Sequence, residues 1–345
     1  MINKKHLYAG IFVGFALLIF YSLHYFVLDF LNKQYDLFLN PVLWSMILVG
    51  ILVIEVFFAH RFFNIFGRFV YYLFGIHFGL LWIFFSVTLV FRVLDSFFDV
   101  SMFLLPTFGA IAIYSLVNVW FVNVNKIKIT KGKKLRIVHL SDLHLGPILR
   151  EDFLENIVNK VNSLNPDMVC ITGDIIEDAG WFTELKTFDK IKSPVYAVLG
   201  NHDMHSTVNE KLDLLKATKV KVLRNENEVC CGVNIIGIDE LIPFRWRVKR
   251  VLNRAYDKEK LNILLTHEPI TFRLIKNYPI DLQLAGHTHG GQIFPFSFVI
   301  RLFYPVYKGL YQKNGQYIHV SQGTGFWGPP MRLLTKNEIT LIDVD

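Results

Sequence analysis

Four long apolar stretches in the first 125 residues constrain the fold of this 345-residue chain more than any other feature of its sequence. A helix crosses the ~30 Å hydrocarbon core of a bilayer with about 20 apolar residues, and each stretch is long enough to do so. A buried helix of a soluble domain would explain one such stretch, but not four in succession. The sequence therefore predicts a transmembrane domain over residues 1–125, with helices at about 6–28, 37–59, 69–91 and 100–125.

Charged residues are distributed unevenly along the chain. Residues 1–125 contain 6 Lys/Arg and 5 Asp/Glu, whereas residues 126–345 contain the other 30 and 24. The first part is thus about 9% charged, far below the ~25% that is typical of soluble domains. This excludes a wholly soluble protein, a disordered chain and a collagen-like fibre. The second part has the composition of an ordinary globular domain.

The basic residues predict which side of the membrane each segment occupies. Four spans place the N-terminus, the loop between the second and third helices, and everything after residue 125 on one side. That side carries ten basic residues, against Lys33 and Arg92 on the other. Since basic loops stay in the cytoplasm, we expect a multi-pass protein of the cell membrane whose C-terminal domain is cytoplasmic. The ten are Lys4, Lys5, Arg61, Arg68 and the six Lys/Arg of a basic juxtamembrane linker at 126–136.

Glu55 and His77 are ionisable residues that fall within the predicted spans. A charge at mid-bilayer costs about 2.5–3.5 kcal/mol on insertion scales, so each needs a partner or a route to water. Glu55 can reach toward Arg61 near the membrane surface, or it can pair with His77 across the second and third helices. A transport pathway usually contains more polar residues than these spans do.

Residues 137–345 are predicted to form an α/β domain, because short β-rich runs alternate with helical patterns. Five of the runs share one property: each is followed directly by Asp, Asn or His. In open α/β sheets ligands bind beyond the carboxyl ends of the strands, so these polar residues are expected to converge on one site. The five runs are LRIVHL (135–140), DMVCIT (167–172), PVYAVL (194–199), LNILL (261–265) and DLQLA (281–285).

The spacing of these polar residues suits metal binding. Asp142 and His144, like His287 and His289, stand two residues apart and so lie on the same face of an extended backbone. Carboxylate, imidazole and amide ligands without a thiolate suit Mn²⁺, Fe or Zn²⁺. The seven candidate ligands exceed what one ion can use, whereas two divalent ions that share a carboxylate would use them all. They are Asp142, His144, Asp174, Asn201, His267, His287 and His289.

The motifs resemble those of the calcineurin-like metallophosphoesterases, which run D-x-H, G-D, G-N-H-[DE], H and G-H-x-H in this order. The resemblance implies a β-sandwich flanked by helices, in four αββα layers, that holds two metal ions. It implies that His202 contacts the phosphate and assists the leaving group, and that Asp203 orients His202. It further implies that Asp142, His144 and His289 bind the first ion, that Asn201, His267 and His287 bind the second, and that Asp174 bridges them.

Two further segments bear on the substrate. GHTHGGQI and GTGFWGPPMR look like a bacterial, membrane-anchored subgroup of the family that includes some UDP-diacylglucosamine pyrophosphatases. GDIIEDAG departs from the GDxxDRG of the protein serine/threonine phosphatases, which disfavours a phosphoprotein. We therefore expect a dinuclear metal-dependent phosphohydrolase that cleaves a phosphodiester or pyrophosphate bond of an amphiphilic substrate at the cytoplasmic leaflet.

Two alternatives remain open at this point. One is a sensor or transport bundle with a regulatory phosphoesterase domain, and the other is a non-catalytic metal-binding scaffold. A scaffold would not need His202 beside a full set of seven ligands.

Two other segments each allow several interpretations. The basic stretch at 245–256 can bind anionic lipid or phosphate, or be a solvated helix; nucleic acid is disfavoured. The apolar segment at 293–311 can cap the active site, dip into the membrane interface, or pack as an ordinary loop.

Overall fold

The four apolar stretches form four helices in a computed structural model of the chain. They are α1 (Lys4–Tyr35), α2 (Pro41–Ala59), α3 (Ile65–Leu94) and α4 (Ser101–Asn118). All four are long and apolar enough to cross a membrane. Large apolar side chains such as Phe15, Phe57 and Phe69 are exposed on them, as expected of surfaces that face lipid rather than water.

The structure describes residues 4–59, 64–204, 207–239, 245–269 and 272–345. The chain divides into two units. We call the first, which comprises Met1–Val117 and Gly328–Met331, the helical unit, and the second, which comprises Asn118–Trp327 and Arg332–Asp345, the sheet unit.

The fourth helix ends earlier than predicted. It stops at Asn118, and residues expected to continue the helix and the basic linker instead form strand β1 (Val122–Ile129). This strand pairs in parallel with β12 (Asn337–Val344). The sequence VNVNKIKI alternates polar and apolar residues, which is the period of a strand and not of a helix. The basic residues from Lys126 to Lys128 therefore belong to a sheet.

Glu55 is paired with a histidine inside the helical unit. Its carboxylate lies 3.1 Å from Nδ1 of His77, which confirms a pair across α2 and α3. Arg61, the alternative partner, lies outside the described residues.

The sheet unit contains two six-stranded mixed sheets. One has the order β1-β12-β2-β3-β4-β5 and the other β10-β11-β9-β8-β7-β6. Strands β2 to β5 run parallel to one another, as do β7, β8, β9 and β11. The strands not yet given are β2 (Leu135–Leu140), β3 (Met168–Thr172), β4 (Val195–Val198), β5 (Val220–Val222), β6 (Glu226–Cys230), β7 (Val233–Gly237), β8 (Asn262–Leu265), β9 (Leu282–Ala285), β10 (Gly309–Lys313) and β11 (Gln316–Val320).

Apolar side chains from both sheets meet in one core, which includes Ile137, Ile235 and Ile263. Helices cover the outer faces, so the domain has the predicted αββα layers. The first sheet is covered by α5 (Glu151–Ser163) and α7 (Val208–Lys216), and the second by α8 (Arg245–Ala255) and α9 (Phe272–Ile275). The remaining helices are α6 (Asn201–Met204) and α10 (Phe296–Phe303).

The basic stretch at 245–256 is mostly α8. Val248, Val251 and Leu252 on one face of this helix are buried against the second sheet, while Arg250 faces solvent. The side chains of residues 245–247 lie outside what the structure describes. A sheet-covering amphipathic helix explains this pattern of charge without a ligand.

Candidate metal centre and active site

Each of the five polar motifs lies at the carboxyl end of its strand. Strands β2, β3 and β4 of the first sheet lead into Asp142, Asp174 and Asn201, while β8 and β9 of the second lead into His267 and His287. Because these strands are parallel within their sheets, their carboxyl ends lie along one edge of the sandwich. The seven predicted ligands gather there in two neighbouring groups.

The first group contains Asp142, His144 and His289. Nε2 of His289 lies 3.1 Å from Nε2 of His144 and 3.4 Å from Oδ1 of Asp142. All three residues are buried. This is the set that the resemblance assigns to the first metal ion.

The second group contains Asn201, His267 and His287. Oδ1 of Asn201 lies 2.9 Å from Nδ1 of His287 and 3.1 Å from Nε2 of His267. Asp174 joins the two groups, because its Oδ2 lies 3.1 Å from Nε2 of His267 and 3.7 Å from Nε2 of His144. A carboxylate in this position can contribute to both groups at once.

The donor atoms of the second group fit a cation. Nδ1 of His267 lies 2.7 Å from the carbonyl oxygen of Thr172, which only accepts, so this nitrogen carries a hydrogen. Nε2 of a neutral His267 then directs a lone pair at Asn201 and Asp174, whose oxygens are also acceptors. Burial lowers the pKa of His287 to about 3, so its ring is neutral at pH 7 and able to act as a ligand. Acceptors that face one another in this way are stabilised by a metal ion.

Five of the seven ligands have a left-handed backbone, which is uncommon for residues other than glycine. The φ angles are 52° at Asp142, 44° at His144, 51° at Asp174, 71° at His287 and 49° at His289. Such conformations cost of order 1–3 kcal/mol each and cluster at functional sites. The prediction that Asp142 and His144, like His287 and His289, lie on an extended backbone is therefore wrong. The left-handed residues turn the chain sharply after the strands, which brings Asp142 and His144 into one group and sends His287 and His289 to different groups.

Gly173 is required by space as well as by its backbone angle. Its φ is 82°, and a Cβ there would lie 2.6 Å from the amide nitrogen of Gly200 and 2.7 Å from Nδ1 of His267. A side chain at this position would displace a predicted ligand.

His202 is oriented differently from expectation. Its Nδ1 lies 3.0 and 3.1 Å from the two carboxylate oxygens of Glu177, whereas the family resemblance implied Asp203 in this position. The Asp203 carboxylate accepts hydrogen bonds from backbone N–H groups. Asp203 therefore stabilises the loops that follow β3 and β4, and Glu177 is the carboxylate that orients His202. The N–H donors are those of Ile175, Ile176 and Gly200.

Glu177 also contacts a predicted metal ligand, since its carboxylate lies 2.7 Å from Nδ1 of His144. Burial would raise the pKa of Glu177, but hydrogen bonds with His144 and His202 outweigh burial and hold the pKa well below its usual range. Burial and the charge of Asp174 raise the pKa of Asp203 to about 6 against the effect of its backbone donors. Glu177 is thus the carboxylate that carries a charge beside His202 throughout the neutral range.

Three further residues that were not predicted to be site residues support the site. The buried Lys211 amine donates to the carbonyl oxygens of Glu177 and His202 at 2.9 and 2.8 Å. The buried Arg332 guanidinium donates to the carbonyl oxygen of His289 at 3.2 Å. The Tyr304 hydroxyl lies 3.0 Å from Nε2 of His287. They lie 9 to 43 residues from the site residues that they contact, so the spacing of the metal motifs did not identify them.

A family model described as calcineurin-like phosphoesterase matches residues 135–291, which include all seven ligands and His202. An uncharacterized metallophosphoesterase of Aquifex aeolicus is 33% identical over 265 residues, which are 70% of this chain and 98% of that protein. An uncharacterized metallophosphoesterase of Campylobacter jejuni is 40% identical over 227 residues, which are 61% of this chain and 59% of that one.

A Danio rerio protein named transmembrane protein with metallophosphoesterase domain is 34% identical over 236 residues, or 60% of this chain and 52% of the relative. The chain thus spans nearly all of the Aquifex aeolicus protein but only about half to three fifths of the Campylobacter jejuni and Danio rerio proteins. A solved 5'-nucleotidase precursor from Thermus thermophilus is 15% identical over 61% of this chain and 55% of that chain, with a TM-score of 0.40.

Proposed function

Because the chain belongs to the calcineurin-like metallophosphoesterase family, we propose that it is a membrane-bound, dinuclear metal-dependent phosphohydrolase. Its reaction is the hydrolysis of a phosphodiester or pyrophosphate bond. The observation that carries this proposal is the position of Asp174, whose Oδ2 lies between two groups of ligands with His202 beside them. A non-catalytic scaffold would need neither His202 nor the carboxylate that orients it.

The residues divide into two sets that would each hold one ion. Asp142, His144 and His289 form the first and Asn201, His267 and His287 the second, with Asp174 shared. Two divalent ions, such as Mn²⁺, Fe or Zn²⁺, supply charge stabilisation for the phosphoryl group and acidify water for attack on phosphorus.

The chain's own contribution to bond cleavage centres on His202. Its side chain is about a quarter exposed, so its ring can reach a bound phosphate ester. Nδ1 faces the Glu177 carboxylate, which only accepts, so this nitrogen carries a hydrogen. From the protonated ring, Nε2 can donate a proton to the leaving oxygen, a role that contributes typically 10²–10⁴-fold.

Apolar side chains beside the site support an amphiphilic substrate. Trp327 is 46% exposed and its ring lies 5.5 Å from that of His202. Helix α10 occupies the apolar segment at 293–311, and its side chains Phe298 and Leu302 are 63% and 81% exposed. The next residue after this helix, Tyr304, contacts the ligand His287. An acyl chain along α10 would place a linked phosphate near the metal ligands, as in a lipid-linked pyrophosphate of the UDP-diacylglucosamine type.

The substrate proposal is tested with the full chain in mixed micelles. We expect a higher kcat/KM for a lipid-linked pyrophosphate than for its deacylated counterpart, and we expect Leu302→Gln to reduce only the former. Val229→Gln, at an exposed apolar position on the edge strand β6, is the matched control and should change neither value. Equal kcat/KM for the two substrates would contradict an amphiphilic substrate while leaving the phosphohydrolase proposal standing.

The bilayer is the partner that the four apolar helices support, and we propose that the sheet unit lies in the cytoplasm. The basis is that the chain after α4 lies on the same side of the membrane as the N-terminus and the loop between α2 and α3, and that this side carries most of the basic residues. A reporter fused to the C-terminus should be active only if it functions in the cytoplasm. Activity of an exported reporter at this position would contradict the orientation.

A further inference from the structure

Three ionisable side chains form a continuous chain of hydrogen-bonding contacts inside the helical unit. Nδ1 of His77 on α3 lies 3.1 Å from Oε2 of Glu55 on α2, and Nε2 of His77 lies 3.1 Å from Nε2 of His24 on α1. Nδ1 of His24 lies 2.8 Å from the carbonyl oxygen of Phe20. His24 is only 4% exposed. We call these three side chains the intramembrane triad.

The last contact fixes one hydrogen of the triad. A carbonyl oxygen only accepts, so Nδ1 of His24 carries a hydrogen and donates it to Phe20. If His24 is neutral, its Nε2 is an acceptor and Nε2 of His77 must donate. A neutral His77 then accepts at Nδ1, which requires a protonated Glu55. Every contact is therefore satisfied when Glu55 and both rings are uncharged.

The same contacts are satisfied when one proton moves along the triad. Transfer from Glu55 to Nδ1 of His77 gives a carboxylate and an imidazolium. Transfer of the Nε2 proton of His77 to Nε2 of His24 then leaves His77 neutral and His24 charged. All three arrangements contain the same number of protons and have zero net charge. If that proton is lost, the triad becomes an anion and one of its three contacts has no hydrogen to share.

Losing the proton is costly at this position. Two buried acceptors that face each other without a hydrogen between them incur the full desolvation penalty. An unpaired charge inside a bilayer costs still more. Asp29, Lys33 and Arg92 do not compensate, because Asp29 pairs with Lys33 at 2.9 Å and lies 3.9 Å from Arg92. Within the described part of the chain, the triad makes its hydrogen bonds to itself and to Phe20.

We propose that Glu55, His77 and His24 are a proton-binding site that holds α1, α2 and α3 together with a single bound proton. A metal ion fits the triad less well than a proton. Glu55 and His24 contact opposite nitrogens of the His77 ring, so only two imidazole nitrogens converge on one point. Protein zinc sites have at least three side-chain ligands.

The proposal gives the stability of the helical unit a defined pH dependence. When the helices separate, a free carboxyl with a pKa of about 4.3 and two free imidazoles with pKa values of about 6.5 bind less of this proton as the pH rises above 7, and almost none above about pH 8. The packed state then binds one proton more than the separated state. Its unfolding equilibrium constant should rise up to tenfold for each pH unit above about 7, until the triad itself releases the proton.

The test compares thermal unfolding of the full chain in lipid nanodiscs between pH 7 and 9, for the wild type, Glu55→Gln and Asp29→Asn. A glutamine amide donates to His77 Nδ1 as a protonated Glu55 does, but it has no proton to lose. We expect the unfolding equilibrium constants of the wild type and Asp29→Asn to rise by up to tenfold per pH unit relative to that of Glu55→Gln. Parallel pH profiles for the wild type and Glu55→Gln would overturn the proposal.

A second measurement does not depend on unfolding. In the full chain labelled with ¹⁵N-histidine, the ring nitrogens of His24 and His77, assigned with His24→Asn and His77→Asn, should change protonation together above pH 7. Independent titration of the two rings would contradict a shared proton. Zn²⁺ is the metal probe, and stabilisation by Zn²⁺ that is lost in both histidine variants would identify a metal site instead.

Discussion

Glu177 is the residue whose substitution tests the arrangement around His202 most sharply. Its carboxylate contacts Nδ1 of His202 at 3.0 Å and Nδ1 of His144 at 2.7 Å. In Glu177→Gln the amide keeps nearly the same volume but loses the charge, and it has one acceptor oxygen for two imidazole donors. Oε2 faces both rings, so an amide oxygen in its place is a weaker, neutral acceptor for both. The amide NH₂ group then takes the place of Oε1 and faces the Nδ1 donor of His202.

The size of the effect follows from these two contacts. Loss of a partner that orients a metal-bound histidine typically reduces metal affinity or activity 10–100-fold. Misorientation of the general acid removes some of its 10²–10⁴-fold contribution. We therefore expect kcat of Glu177→Gln to fall by about 10²- to 10³-fold at saturating metal. At 1.36 kcal/mol per tenfold, this corresponds to about 3–4 kcal/mol of transition-state stabilisation.

The assay measures kcat and KM for a model phosphodiester at saturating Mn²⁺, together with the Mn²⁺ concentration that gives half-maximal rate. Glu184→Gln is the matched control, because Glu184 is exposed and pairs only with Lys186 at 2.8 Å among the contacts of the described residues. KM of Glu177→Gln should change little, and the Mn²⁺ requirement should rise. A kcat within twofold of the wild type in Glu177→Gln, with a large loss in Asp203→Asn, would refute this reasoning and restore Asp203 as the residue that orients His202.

Two further predictions concern other histidines of the sheet unit. His202→Ala should retain both metal ions by elemental analysis and lose 10²–10⁴-fold in kcat, and equal metal loss would show that His202 is a ligand. His139 and His319 contact each other at 2.9 Å inside the core, and burial lowers the pKa of His319 to about 4. Because the unfolded ring protonates below about 6.5, the stabilisation is complete above that pH and decreases as the pH falls toward 4. Between pH 7 and 5 the free energy of unfolding, measured by urea unfolding, should fall by about 2 kcal/mol more in the wild type than in His319→Gln. An equal pH dependence in the two proteins would refute the assignment.

Much of the site was accessible from sequence because the fold places strand ends together. Each motif follows a buried strand, and parallel strands bring their carboxyl ends to one edge. Residues that directly follow such strands could therefore be predicted to lie close together. Each ligand group draws on both sheets, because Asp142 and Asn201 follow strands of the first sheet and the G-H-x-H motif after β9 of the second supplies a ligand to each group. The family resemblance, rather than periodicity, implied which ligands belong together.

The parts that sequence did not reveal depend on tertiary contacts. Glu177 lies three residues after Asp174 within a loop, where an acidic residue is ordinarily solvated, and only the turn after β3 directs it at two imidazoles. Strand β1 was assigned to the fourth span because it follows an apolar helix, and because Val122 and Val124 extend the apolar stretch from which that span was predicted. The contact between His24 and His77 joins residues 53 positions apart on different helices.

The number of metal ions bound by the purified full chain tests the central proposal most directly. Elemental analysis after loading with Mn²⁺ should give two ions per chain in the wild type and loss of two-ion occupancy in Asp174→Asn, because its carboxylate is shared by both ligand groups. Hydrolysis of a model phosphodiester should disappear with a chelator and return with Mn²⁺. A wild-type chain that binds a single ion, or that hydrolyses the ester equally well after the metal has been removed, would contradict a dinuclear metallophosphohydrolase.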